Sequence, residues 1–278
     1  MRLARAALHF WEEPPISGES GSGTVFFSGC PLRCVYCQNK PIARGEVGRE
    51  VSIERLAHIF LEQQERGALN INLVTPTHFI PQIREALDLA RTRDFSRTPL
   101  SLPIVYNTSG YELPEAISEL DGYVDVFLTD FKYASPELAQ RYSAAPDYPE
   151  IASAALDAMF ALVGSCAYDT SERGEERLVR GIIVRHLLLP GQLDDSKRVM
   201  ELLAVKPYRD DIIVSIMNQF TPAPDLAATY PELAQSVSPK DYDELIDYAL
   251  DLGIMNSFMQ EGGAASESFI PAFDYEGV

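Results

Sequence analysis

Six short apolar runs alternate with helical patterns along this chain, and that alternation limits its fold more than any other feature of the sequence. The predicted strands cover residues 24–28, 72–75, 103–106, 124–128, 181–184 and 212–216. The predicted helices cover residues 52–67, 80–90, 136–142, 151–163 and 196–203, with two more after Glu112 and from Ser238. Such alternation predicts a parallel α/β sheet with helices on its outer face. Right-handed crossover connections curve this sheet into a full or partial barrel. In such barrels the catalytic residues lie at the C-terminal ends of the strands.

The charge of the chain is strongly acidic and unevenly distributed. The sequence holds 23 Lys and Arg against 41 Asp and Glu, which gives a formal net charge of −18. Residues 1–100 sum to +1, and residues 101–278 sum to −19. A chain this acidic lacks the basic footprint that nucleic-acid binding needs, and anionic membranes repel it. The composition therefore argues against both kinds of partner.

The sequence also predicts a compartment. No apolar run approaches the roughly 18 residues of a spanning helix. Residues 1–8 look like the start of a signal peptide, but His9, Glu12 and Glu13 interrupt that pattern too early. Three of the four cysteines fall within eight residues, whereas a secreted disulfide framework spreads its cysteines along the chain. We therefore expect a cytoplasmic protein.

Cys30, Cys34 and Cys37 follow the first predicted strand with the spacing C-x3-C-x2-C. Three thiols crowded on one loop gain little from packing, so a metal site is favoured over buried structural cysteines. Zinc would need a fourth ligand, and the candidates are His58, His78, His186 and Cys166. A four-thiolate iron–sulfur site would need Cys166. A cluster held by three thiolates would leave one iron open for a substrate's amino and carboxylate groups.

The cysteine motif, placed after the first strand of a sixfold βα alternation, resembles that of the radical S-adenosylmethionine (SAM) superfamily. An aromatic residue such as Tyr36 often precedes the last cysteine there. Residues 18–30, followed by Gln38 and Asn39, resemble the activating enzymes of pyruvate formate-lyase, and the likeness covers nearly all of residues 10–260. It implies a partial (β/α)6 barrel, a single domain over residues 1–278 with its core at about 20–260, and a [4Fe–4S] cluster on the three cysteines. SAM would chelate the open iron.

The resemblance also implies which residues contact SAM. They lie at strand ends or beside the last cysteine: Tyr36, Thr75, Thr77, Asn107, Thr108, Asp130, Lys132 and Arg185. Two positions depart from the family pattern, since Thr75–His78 stands where a Gly-Gly-Glu-Pro-like turn is usual and Asn107 replaces an acid. Simpler interpretations stay open: a threonine cap on the next helix, a turn at Asn107, and a solvated rim pair of Asp130 and Lys132.

The implied activity is that of an oxidoreductase that reductively cleaves SAM to a 5′-deoxyadenosyl radical, which abstracts hydrogen. The implied partners are a glycyl radical enzyme as substrate and a flavodoxin or ferredoxin-type reductant. A small molecule or another protein side chain is an alternative substrate, and a non-catalytic zinc or electron-transfer protein is an alternative of another class. The near-neutral N-terminal part predicts that a partner docks at the barrel mouth, beside residues 18–23 and the cysteine loop.

Overall fold

The computed structural model describes residues 1–171, 173–259 and 271–278, which form ten strands and nine α-helices. The strands are β1 (Arg2–His9), β2 (Ser22–Phe27), β3 (Arg49–Glu50), β4 (Ile71–Val74), β5 (Ile104–Thr108), β6 (Val126–Asp130), β7 (Ala167–Thr170), β8 (Glu176–Leu187), β9 (Ile213–Met217) and β10 (Ser257–Met259). The helices are α1 (Pro14–Ser17), α2 (Lys40–Ala43), α3 (Ile53–Glu65), α4 (Ile80–Ala90), α5 (Pro114–Ser118), α6 (Pro136–Ser143), α7 (Tyr148–Val163), α8 (Leu193–Ala204) and α9 (Pro239–Asp251).

The sheet is mostly parallel and open. Its order is β10-β9-β8-β6-β5-β4-β2-β1-β3, and every pair from β2 to β10 is parallel. β1 and β3 extend the β2 edge with antiparallel pairs, and β7 folds back on β8. The six predicted strands correspond to β2, β4, β5, β6, β8 and β9. The predicted partial α/β barrel is therefore confirmed.

Two predicted helix starts have the expected caps. Ser52 Oγ accepts a hydrogen bond from the Arg55 amide at 3.1 Å, and Ser238 Oγ accepts one from the Asp241 amide at 3.4 Å. A capping hydroxyl satisfies one of the amides that the first helical turn leaves unpaired. These local signals explain why α3 and α9 begin where the sequence predicts. In the part of the chain that the structure describes, no helix is long and apolar enough to cross a membrane.

Alternate residues of the strands face opposite sides of the sheet, and the inner side has its own small apolar cluster. Val105, Leu128, Ile183 and Ile213 pack there against Ile16 of α1. β1 runs antiparallel to β2 and ends opposite Ser22, so the chain reaches α1 at the N-terminal ends of the parallel strands. α1 therefore closes that end of the barrel, and the polar side chains further along the same strands face the open end.

The structure also corrects one sequence prediction. Residues 18–23 lead into β2 at its N-terminal end, whereas the cysteine loop leaves β2 at its C-terminal end. The two segments lie at opposite ends of one strand and do not border a common docking surface. Sequence proximity suggested a shared face, but a strand of six residues spans about 20 Å.

Candidate active site

The three thiols, those of Cys30, Cys34 and Cys37, lie in the loop between β2 and α2. All three are unpaired and half-buried, and they line one crevice together. Gly29 enters this loop with a φ of 110°, and a Cβ there would lie 2.8 Å from His78 Nε2. His78 in turn contacts the Ser28 carbonyl through Nε2 at 3.0 Å. The turn after β4 therefore packs over the start of the loop, at a position that only glycine fits.

The last turn of α6 holds the middle of the loop. The Arg33 amide donates to the Ser143 carbonyl at 3.1 Å, and the Val35 amide donates to the Tyr142 carbonyl at 2.8 Å. Ser143 Oγ also donates to Cys34 Sγ at 3.0 Å. These contacts fix the backbone on both sides of Cys34 together with its sulfur.

A chain of buried hydroxyls leads to the same sulfur. Tyr36 OH lies 2.6 Å from Tyr133 OH, which lies 2.7 Å from Ser143 Oγ. Because Ser143 donates to Cys34, the direction that satisfies every hydroxyl runs from Tyr36 through Tyr133 to Ser143. The Tyr36 ring also makes edge contacts with Tyr142. Sequence reasoning missed Tyr133 and Ser143, since neither lies in a motif of the cysteine loop.

Four of the predicted SAM-contacting residues form one polar network at the ends of β5, β6 and β8. Asp130 accepts from Lys132 Nζ at 2.5 Å and from Arg185 Nε at 2.9 Å. Arg185 also donates to Asn107 Oδ1 at 2.7 Å. The charged side chains are only 16–20% exposed, so Asp130 and Lys132 are not a solvated rim pair.

Two acids that the sequence did not single out reach this network from the closed end of the barrel. Glu12 Oε2 lies 3.5 Å from Arg185 Nη1, and Glu13 Oε1 accepts from Ser215 Oγ at 2.8 Å. Both acids belong to the segment between β1 and α1. In the sequence they are merely two charged residues near the start, and only the return of that segment into the barrel brings them to Arg185.

Burial and charge shift the pKa values of these groups in different directions. Burial raises the pKa of Glu12, although Arg185 opposes the rise, and burial likewise raises the pKa of Glu13. Burial would also raise the pKa of Asp130, but the charges of Lys132 and Arg185 outweigh it, so that pKa is lowered. Asp130 is therefore the ionised member that holds the two cations.

The two predicted threonines after β4 separate in the structure. Thr75 has a φ of 57°, donates its amide to the Asn107 carbonyl at 2.8 Å, and lines the cavity beside the three thiols. Thr77 turns away and donates to Glu112 Oε1 at 2.6 Å. Neither caps α4, whose N-cap residue Phe79 forms no side-chain cap. Thr108, which lines the same cavity as Thr75, also donates to Glu112 Oε1, at 2.5 Å.

The remaining candidate metal ligands lie elsewhere. His186 faces the helical layer, is 1% exposed, and contacts the Phe131 carbonyl through Nδ1 at 2.7 Å, which makes it a core histidine. Cys166 lies beside Gly181 of β8, which is far along the strand from Arg185. Burial raises the pKa of its thiol, with Asp211 adding to the rise. The described residues contain no group of three His, Cys, Asp or Glu side chains that could hold a single metal ion.

Two adjoining cavities connect the three thiols with the strand ends. One is lined by the thiols, by Thr75, Asn107 and Thr108, and by the charged side chains of the network. The other, larger cavity shares Cys34, Cys37 and the charged side chains Asp130, Lys132 and Arg185, and extends past Tyr36 to the end of β9. Seven of the eight predicted SAM-contacting residues line these cavities, and the exception is Thr77.

Residues 24–168 match the family model of the radical SAM superfamily. The chain belongs to this superfamily. Radical SAM enzymes use a [4Fe–4S] cluster and SAM, which confirms the predicted cofactors. The donor set fits such a cluster, because three free thiols surround one crevice that opens to the cavity at the strand ends.

The proteins that resemble this radical SAM chain are diverse. An uncharacterized protein of Methanocaldococcus jannaschii, MJ0674, is 26% identical over 245 residues, which cover 83% of this chain and 64% of that protein. A mutant of spore photoproduct lyase has a TM-score of 0.54 at 11% identity, covering 92% of this chain and 80% of the other. Streptococcus suis SuiB, bound to S-adenosylmethionine, has a TM-score of 0.50 at 9% identity, covering 87% and 49%. The two structures share the fold.

Proposed function

We propose that this chain is a radical SAM enzyme that holds its cluster on Cys30, Cys34 and Cys37. The observation that carries the proposal is the cavity that joins these thiols to the polar strand ends of β5, β6 and β8. We also propose that residues 1–278 act as one domain, because β8 and β9 continue the parallel sheet beyond the family match at residue 168.

The charged network is suited to hold the zwitterionic end of SAM. Lys132 and Arg185 present positive charge for a carboxylate, while Asp130 and the side-chain oxygen Oδ1 of Asn107 can accept hydrogen bonds from an amino group. When bound, the cluster supplies the electron that cleaves SAM and gives a 5′-deoxyadenosyl radical able to take a hydrogen atom. The chain's own residues bind and orient the cofactor and keep water away from the reacting atoms.

For the substrate we propose a backbone glycine in a flexible loop of a glycyl radical enzyme. The larger cavity supports this class because its outer lining includes the neutral amides of Gln38, Asn39 and Gln219, which suit a peptide backbone. Gln38 Nε2 donates to Thr221 Oγ1 at 3.0 Å, which ties the cysteine loop to the segment after β9. A small molecule or another protein side chain is the second candidate, because the same lining accepts other neutral polar groups.

Anaerobic reconstitution with iron and sulfide, followed by SAM and dithionite, tests the reaction. We expect the wild-type chain to bind a [4Fe–4S] cluster and release 5′-deoxyadenosine. Cys34→Ala should lose the cluster, whereas the matched Cys166→Ala should keep it, because Cys166 lies away from the loop. Normal iron content in Cys34→Ala would refute the ligand assignment.

The substrate class needs a separate measurement. Glycyl radical enzymes from the same organism should each be incubated with the reduced protein and SAM, and examined by electron paramagnetic resonance. A glycyl radical in one of them supports the proposed partner. If none gains a radical while a pool of small molecules stimulates release of 5′-deoxyadenosine, the second substrate class replaces the first.

A further inference from the structure

A group of cations surrounds the outer side of the crevice that holds the three thiols. Arg33, Lys40 and Arg44, which we call the cationic rim, line this crevice together with the thiols and two apolar neighbours, Leu32 and Ala43. No acid lines it. Arg33 and Arg44 are exposed, and Lys40 is half-buried. None of the three forms an ion pair with any residue that the structure describes.

The cationic rim contrasts with the rest of the molecule. Residues 30–45 contain three cations and no acid, whereas the whole chain has a formal net charge of −18. An acidic protein is therefore repelled by most of this surface and attracted locally to the rim. Charge patterns of this kind raise the rate of correct encounters and suppress wrong ones.

The crevice with the cationic rim and the larger cavity both border the thiols, but most of their lining residues differ. Of the residues that line the crevice, only Cys34 and Cys37 also line the larger cavity. That cavity includes Asp130 and the neutral amides, and none of the rim cations. A partner can therefore contact the rim cations without contacting the amides proposed for the substrate.

We propose that the cationic rim is the docking surface of an acidic one-electron donor protein that carries a flavin or an iron–sulfur centre. This inference rests on the proposed function, since the thiols must hold the cluster. In the step it serves, the donor loses one electron and the cluster gains one, with no bond made or broken and no proton transferred. Docking over the loop brings the donor's centre close to the three thiols, because the rim and the thiols line the same crevice.

The test compares two double charge reversals of equal size. Arg33→Glu/Arg44→Glu reverses the exposed cations of the rim. Arg93→Glu/Arg97→Glu reverses two exposed cations in the connection from α4 to β5, at the opposite end of the parallel strands. The probe is a purified, reduced bacterial flavodoxin, and the measured quantity is the rate at which the visible absorbance of the cluster bleaches under anaerobic conditions.

We expect the rim variant to slow this reduction about tenfold or more at low ionic strength, and the control to stay close to wild type. The difference should shrink at high salt, because exposed charges are then screened. Equal slowing in both variants, or an unchanged rate in the rim variant, would overturn the docking surface. If the glutamates lower the iron content, Arg33→Gln/Arg44→Gln replaces them with the same expected direction.

Failure of the docking surface is distinguishable from failure of the proposed function. Dithionite reduces the wild-type chain without a protein donor. If the wild-type chain releases 5′-deoxyadenosine with dithionite while flavodoxin reduces the cluster at the same rate in all variants, that result refutes only the role of the cationic rim in docking. The absence of a reducible cluster in the wild-type chain would refute the function itself.

Discussion

Asp130 is the position where one substitution should reveal most about the charged network. Its carboxylate accepts from Lys132 at 2.5 Å and from Arg185 at 2.9 Å, so Asp130→Ala leaves both cations without their shared acid. Deleting one partner of a buried ion pair usually costs about 3–5 kcal/mol. The three side chains keep 16–20% exposure, and Glu12 still lies 3.5 Å from Arg185. Because of this residual exposure and the remaining acid, we expect the free energy of unfolding to fall by about 3 kcal/mol, the lower end of that range.

Urea denaturation of the cluster-free chain at neutral pH measures this loss as a change in the free energy of unfolding. A matched variant adds only Lys132→Met to Asp130→Ala. It should recover most of the stability, because the remaining cation, Arg185, still has Glu12 at 3.5 Å. A loss below about 1 kcal/mol in Asp130→Ala, the range of an exposed pair, would refute the buried network. No recovery in the matched variant would refute the charge explanation.

The same comparison has a pH dependence whose sign follows from the lowered pKa of Asp130. Burial opposes the shift, but the charges of Lys132 and Arg185 outweigh it. The stabilisation is therefore fully present above the ordinary value of 3.8 and is lost as the pH falls through the lower folded-state value. The difference in unfolding free energy between the wild type and Asp130→Ala should shrink only below pH 3.8. A difference that fades at higher pH would contradict this sign.

Three further substitutions test other parts of the structure. Burial raises the pKa of Glu112 above 4.5, so the wild type should lose stability as the pH rises through the range just above that value, and Glu112→Gln should lack this slope in pH-dependent denaturation. Ser143→Ala should shift the midpoint potential of the cluster to a more negative value in a redox titration, because a donor to Cys34 Sγ favours the reduced, more negative state. Ser52→Ala should lower the unfolding free energy by about 1 kcal/mol, since it removes the cap of α3.

The sequence predicted those features that depend on local pattern. Six strands follow from apolar runs, and the starts of α3 and α9 follow from Ser52 and Ser238, because strand and helix signals are written in neighbouring residues. The grouping of Asp130 with Arg185 also followed, since parallel strands bring their C-terminal ends to one edge. The roles of these residues toward SAM stay predictions.

Other features had no local signal. β1 was not predicted, because Arg2–His9 is rich in alanine and resembles the start of a signal peptide, and its strand form comes from pairing with β2. Thr77 was grouped with Thr75, yet the turn after β4 directs it to Glu112. The two side chains separate because of the backbone conformation of this turn, which a sequence motif does not specify.

By itself, then, the sequence determined the alternation of strands and helices, the three cysteines after the first parallel strand, and the polar residues at the strand ends. Tertiary structure alone decided that Glu12 returns to Arg185 from the closed end of the barrel, and that Ser143 donates to Cys34 across 109 residues. The physical reason is the distance along the chain over which each interaction acts. Backbone preference and hydrophobic periodicity act over a few residues, whereas the surroundings of a sulfur or a guanidinium are set by segments that meet only when the whole chain has folded.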